Sequence, residues 1–222
     1  MGFNEMKWEE DLVTDIRLND YRDDLDYPLD SKKDFVFEGI LPNFPTWRMK
    51  HDFSTLNQDA LKTVFEERSI NARSIVEIGV SRDIKKARTS TTIFLENKKP
   101  ECVYLGIDIE SKTYLDDKKN NVHTMISDSA NIDFIMNRLR KLNVNEIDFL
   151  MIDGWHSINQ VLKEWEFTKW LSPNGVVGFH DTAYHPGPNR FVNNLDTDKW
   201  NVITNACSEE PHDFGIGFAW RK

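Results

Sequence analysis

A doubly wound α/β fold, built on a mostly parallel seven-stranded sheet with an antiparallel last strand, is what the sequence predicts. Three observations predict it: seven short runs rich in β-branched and aromatic residues, helical patterns between most of them, and a final connection too short for a crossover helix.

The elements follow in order. Leu56, Ala60, Leu61, Val64 and Phe65 recur at helical spacing, so a helix starting near Ser54 or Thr55 leads into the core. The run 74–80 is β-branched and reaches a glycine at its end, as a buried parallel strand does. Further strand-like runs lie at 103–109, 122–126, 147–152, 176–179, 200–204 and 214–220. Helical patterns cover 91–97, 132–142, 158–171 and 190–195, and Val161, Leu162, Trp165 and Leu171 make 158–171 read as a core helix. Alternation of this kind implies right-handed crossovers with helices on both faces. Only residues 205–213 separate the last two runs, so these two strands are expected to pair antiparallel.

The 222 residues fit one domain, with residues 55–222 as its body and residues 1–54 as an N-terminal extension. The extension is charged, broken by Pro28, Pro42 and Pro45, and carries aromatics such as Trp8, Tyr27, Phe44 and Trp47. It reads as a lid or strap, or more plainly as a solvated tail. Homo-oligomer contacts through it are left open. A hydrophobic fraction of 39% with 14 Phe and 7 Trp excludes a disordered chain. The net charge of -9 argues against nucleic-acid and anionic-membrane partners and favours small molecules. No window approaches the roughly 20 apolar residues of a membrane span, and residues 1–30 lack the apolar core of a signal peptide, so a cytoplasmic location is expected. Cys102 and Cys207 suggest no disulfide framework, Cys102 reading as a buried thiol.

Open α/β sheets bind ligands outside the carboxyl ends of their strands. Those ends carry Glu77 and Gly79, Asp108 and Glu110, Asp128, Asp153, and His180 with Asp181. Acidic groups at five successive strand ends point to a site.

With Glu77-Ile-Gly79, Asp108 closing the second strand and Asp128-Ser129 after the third, residues 55–222 resemble the class I S-adenosylmethionine-dependent methyltransferases. The resemblance implies a Rossmann-like methyltransferase fold. It also implies that Glu77 and Gly79 contact the amino-acid end of the cofactor, Asp108 the ribose hydroxyls, and Asp128 and Ser129 the adenine. The first loop departs from the family: from Gly79 to Thr92 it is long, basic and lacks further glycines. Thr89, Ser90 and Thr91 are placed there to cap the next helix and to offer hydroxyls and N–H groups to a carboxylate.

Asp153-Gly-Trp-His156, followed by His180-Asp181-Thr182 and then His185-Pro-Gly187, is similar to the metal-dependent O-methyltransferases of the catechol, macrolide and cephalosporin-hydroxylase-like groups. The resemblance implies that Asp153 and Asp181 hold Mg2+ or Mn2+ and that His156 is a general base. Thr182 stands where catechol-type relatives carry asparagine. His180 either binds the metal or orients Asp181, and His185 is a candidate acceptor contact. The implied activity is methyl transfer from S-adenosylmethionine to a hydroxyl of a small molecule, a sugar or natural-product scaffold. An alcohol needs its proton removed and its alkoxide stabilised, which an imidazole of ordinary pKa and a hard cation accomplish. The same residues also suit a metal enzyme of other chemistry, or a binding module with a relict pocket.

Overall fold

The computed structural model describes residues 55–81, 88–182, 186–205 and 215–222. The N-terminal extension, the basic part of the first loop, His185 and Cys207 lie outside them.

Twelve regular elements position the site: α1 (Thr55–Val64), β1 (Ser74–Ile78), α2 (Ser90–Asn97), β2 (Val103–Asp108), β3 (Val122–Ile126), α3 (Ile132–Lys141), β4 (Ile147–Ile152), α4 (Ile158–Trp165), β5 (Leu171–His180), α5 (Pro186–Asn193), β6 (Trp200–Asn205) and β7 (Ile216–Arg221). The strands form one seven-stranded sheet in the order β3-β2-β1-β4-β5-β7-β6. Pairings from β3 through β5 are parallel, whereas β7 runs antiparallel to both β5 and β6. The expected antiparallel ending is therefore present, with β7 inserted between β5 and β6. Strand order reverses between β1 and β4, which places the ligand-binding crevice above their carboxyl ends.

Apolar side chains pack on both faces of the sheet. One layer sets Ile135 and Leu139 of α3, Val161 and Trp165 of α4 and Phe191 of α5 against Val76, Leu150 and Phe179. The other sets Leu61 of α1 and Ile93 and Phe94 of α2 against Ile75 and Phe149. Cys102 is a buried free thiol, as expected, and burial pushes it up to about 12. No helix among the described residues is long and apolar enough to cross a membrane.

Two sequence boundaries are corrected. The helix expected over 158–171 stops at Trp165, where a 3-10 turn (Glu166–Trp170) takes over and Leu171 already opens β5. The Thr168 hydroxyl donates to the Trp165 carbonyl at 2.7 Å, satisfying an acceptor that the ending helix frees. Leu171 then pairs with Ile147 across a register shift, and apolar spacing alone does not separate that pairing from one more helical turn. The helix expected over 190–195 begins instead at Pro186, since proline suits a first helical turn that lacks N–H partners.

Candidate metal and cofactor site

The centre of the site grows from the ends of β4 and β5. Asp153 follows β4 directly, and its N–H donates to the Ile78 carbonyl at 2.9 Å, tying it to β1. Gly79 makes this closeness feasible. Its φ is +79°, and a Cβ there would stand 1.8 Å from the Asp153 carbonyl oxygen. Past β5, Asp181 turns the chain with φ +60°, a left-handed conformation that aspartate tolerates better than most residues. Strain of this kind clusters at functional positions.

The turn after β4 brings His156 across. Ser157 caps α4 by accepting from the Gln160 N–H at 3.1 Å. Gly187 in the first turn of α5 lies so close that a Cβ would meet the His156 carbonyl oxygen at 2.1 Å. Gly187 thus lets α5 seat on the His156 backbone.

Four side chains converge as a result. His156 Nε2 lies 3.0 Å from Asp181 Oδ2 and 3.5 Å from Asp153 Oδ1. His180 Nδ1 lies 2.9 Å from Asp181 Oδ1 and 3.4 Å from Asp153 Oδ1. Asp153, His180 and Asp181 each offer one ligand atom within 4.8 Å of the others, the one group of this kind among the described residues. Two carboxylates and an imidazole form a donor set that Mn2+ or Mg2+ accepts, the nitrogen leaning toward manganese.

Electrostatics of the four side chains follow from that geometry. Burial pulls His156 down, but the Asp181 charge and hydrogen bonds to both aspartates prevail and raise it to about 10. His180 is likewise opposed by burial, yet Asp153 and Asp181 lift it to about 9. Asp181 is pushed up by burial, and the two imidazoliums nevertheless hold it well below the carboxylate range. While both carboxylates are uncompensated, their charge favours the imidazolium form of His156.

The other predicted positions line the crevice in two ways. Asp108 ends β2 and is pinned, Oδ2 accepting from Val80 N–H at 3.0 Å and Oδ1 from Glu110 N–H at 2.8 Å. Asp128 is exposed and accepts from Ala130 N–H at 2.8 Å. Glu77, by contrast, is fully enclosed. Ser90 donates to its Oε1 at 2.5 Å and the Tyr104 hydroxyl donates to its Oε2. Burial raises Glu77 to about 7 even though these hydrogen bonds, with one from Thr91, draw it down. Glu77 and Ser90 thus bind each other and fasten the start of α2 to β1. Thr89, not Ser90, caps α2 by a reciprocal pair with Thr92.

Ser129 is also turned inward, donating to Glu164 Oε1 at 2.6 Å. Glu164 is fully buried, its carboxyl pushed up to about 7 by burial, and it fills the space a Gly154 side chain would need. Sequence reasoning passed over Glu164, Gln160, Tyr104 and Lys112. A signal existed for one: Glu164 falls three residues after Val161, on the apolar face of α4.

No protein-family model matches the sequence, and no curated protein matches it. Among solved structures, the chain is similar to an rRNA methylase from Streptococcus thermophilus, with TM-score 0.55 and 9% identity over 74% of this chain and 96% of that one. It is also similar to the MycE methyltransferase from the mycinamycin biosynthetic pathway in complex with Mg and SAH, with TM-score 0.51 and 14% identity over 73% of this chain and 48% of that one. A calicheamicin methyltransferase aligns with TM-score 0.50 and 12% identity over 73% and 79% of the two chains. The chain thus spans about half the length of MycE. These likenesses establish the Rossmann-like methyltransferase fold.

Proposed function

We propose that the chain is a divalent-metal-dependent O-methyltransferase, moving a methyl from S-adenosylmethionine to a hydroxyl of a small molecule such as a sugar or natural-product scaffold. The observation that carries this reading is the convergence of Asp153, His180 and Asp181 within 4.8 Å at the ends of β4 and β5, with His156 Nε2 3.0 Å from Asp181.

The chain's own groups fit both the cation and the cofactor. Asp153 and Asp181 supply the hard oxygens for Mn2+ or Mg2+, and His180 Nδ1 adds the nitrogen. Each Asp108 oxygen accepts one backbone N–H and keeps a lone pair for one of two vicinal hydroxyls. Beside it Ile109, 79% exposed, offers an apolar face suited to a flat purine. Glu77 serves the site through Ser90, by fixing the β1–α2 connection. Ser129 serves it through Glu164, by fixing the turn after β3 behind the exposed Asp128.

When bound, S-adenosylmethionine supplies the reactive methyl, and the cation supplies Lewis acidity toward the acceptor oxygen while offsetting the Asp153 and Asp181 charges. His156 would take the hydroxyl proton at Nε2. Gly187 packs against the His156 backbone and so fixes where that residue stands. Trp155, exposed next to His156, gives the acceptor an apolar wall. The net charge of -9 favours an uncharged small acceptor over RNA. A MycE complex that holds Mg, SAH and mycinamycin VI lends this reading a precedent on the same fold.

The test is transfer of labelled methyl from S-adenosylmethionine to a panel of sugars and glycosylated natural products, with and without Mn2+ or Mg2+. Turnover that chelation removes, and that Asp153→Ala and His156→Ala each lower by about 100-fold or more, supports the proposal. Metal-independent turnover, or turnover indifferent to both substitutions, contradicts it.

A further inference from the structure

We infer that Lys112 is a specificity-determining residue at the nucleoside end of the crevice, forming with Asp108 a two-sided clamp on a single sugar hydroxyl. This rests on the cofactor reading above and goes beyond it, since nothing in the resemblance assigns a role to a lysine there.

Lys112 follows β2 by four residues, and its side chain is only 5% exposed. Lysine is seldom buried unless its charge is used. Its Nζ lies 3.3 Å from Oε2 of Glu110, a carboxylate that is 62% exposed, and 3.6 Å from Asp108 Oδ2. The first contact is a long hydrogen bond and the second is beyond hydrogen-bond reach. An ammonium has three donors, so donor capacity remains in a place where water has little access.

Asp108 presents the complement. Its Oδ2 accepts one hydrogen bond, from Val80 N–H at 3.0 Å, and retains a lone pair. Oδ2 and Nζ form an ion pair at 3.6 Å, and a single hydroxyl oxygen fits beside that pair, donating to the carboxylate and accepting from the ammonium at about 2.8 Å each. The segment carrying Lys112 is also held in place: the Tyr114 hydroxyl donates to the Ser81 carbonyl at 2.9 Å, bridging the connections after β2 and β1. Such a clamp reads one group as donor and acceptor together. A ligand lacking that hydroxyl leaves both charged groups poorly solvated, and sites built this way reject the deoxy analogue strongly. With two carboxylates against one ammonium the cluster is net negative, so it selects a neutral sugar over a phosphorylated one.

The experiment is calorimetric titration of wild type, Lys112→Met and Lys112→Gln with S-adenosylhomocysteine and with its 2′-deoxy and 3′-deoxy analogues. Circular dichroism verifies folding, and the Gln variant serves if the Met variant does not fold. The expected result is that removing the ammonium weakens S-adenosylhomocysteine by about ten-fold or more, while binding of the analogue that lacks the clamped hydroxyl changes by less than about two-fold from the wild-type value. Equal loss for all three ligands overturns the clamp, because a structural role would move them together. Unchanged S-adenosylhomocysteine affinity overturns it too, leaving the cofactor reading intact. Wild type that binds none of the ligands refutes the cofactor reading, and the clamp falls with it.

Discussion

Gly79→Ala probes the joint that the whole site depends on. Alanine at φ +79° pays the left-handed penalty of about 1–2 kcal/mol. Its Cβ would also stand 1.8 Å from the Asp153 carbonyl oxygen, a fixed backbone atom. Restoring ordinary contact requires the ends of β1 and β4 to part by over about 1 Å, and overpacking of that kind costs about 1–3 kcal/mol. The sum, about 2–5 kcal/mol, lowers the melting temperature by roughly 5–20 °C for a chain of this size. Asp153 moves with its backbone, so Mn2+ affinity should fall by at least about ten-fold. Gly178→Ala is the control, because its Cβ would meet the Met151 Sδ at 2.8 Å, a flexible side chain able to yield. Thermal denaturation followed by circular dichroism, with Mn2+ titration by electron paramagnetic resonance, reads both quantities. A Gly79→Ala protein within about 1 kcal/mol of wild type, binding Mn2+ as well, would refute the reasoning.

Glu164 is raised from 4.5 to about 7, so the folded state favours its neutral form; that advantage is full below pH 4.5 and is lost as pH rises through 7. Glu164→Gln should therefore stabilise the protein by about 2 kcal/mol at pH 8 and by little at pH 5, as measured by urea denaturation at the two values. For the metal-free cluster the signs work differently. The raised His156 and His180 stabilise fully below pH 6.5 and lose that effect as pH climbs through about 9 to 10, while the depressed Asp181 stabilises above pH 3.8 and fails only well below it. The melting temperature of chelator-treated protein should therefore fall between pH 7 and 10, and Asp181→Asn should flatten the fall. Gly187→Ala, whose Cβ would meet the His156 carbonyl oxygen at 2.1 Å, should displace His156 and lower turnover by about ten-fold or more while leaving S-adenosylhomocysteine affinity unchanged.

Much of the fold was legible because the strands are buried on both faces and read as continuous apolar runs between polar connections. Ile75 to Ile78 and Phe149 to Ile152 announce themselves in this way. The insertion of β7 between β5 and β6 was not legible, because strand-like composition marks a strand without naming its neighbours, and only pairing sets their order. The aspartate and histidine cluster was legible since Asp153, His156, His180 and Asp181 stand at or just beyond strand ends, where chain position alone brings them together. Side-chain direction was hidden. Glu77 and Ser129 sit in the expected places, yet each turns inward to a partner, Tyr104 or Glu164, far away in sequence. Lys112 escaped notice for the related reason that an isolated lysine in a polar loop looks solvated until the packing around it is known.

The most direct test of the central claim is calorimetric titration of the purified protein with S-adenosylmethionine and S-adenosylhomocysteine, with and without Mn2+ or Mg2+. The account predicts micromolar binding that Asp108→Ala abolishes, together with a metal site that Asp181→Asn removes. Binding of neither ligand under any metal condition would contradict it.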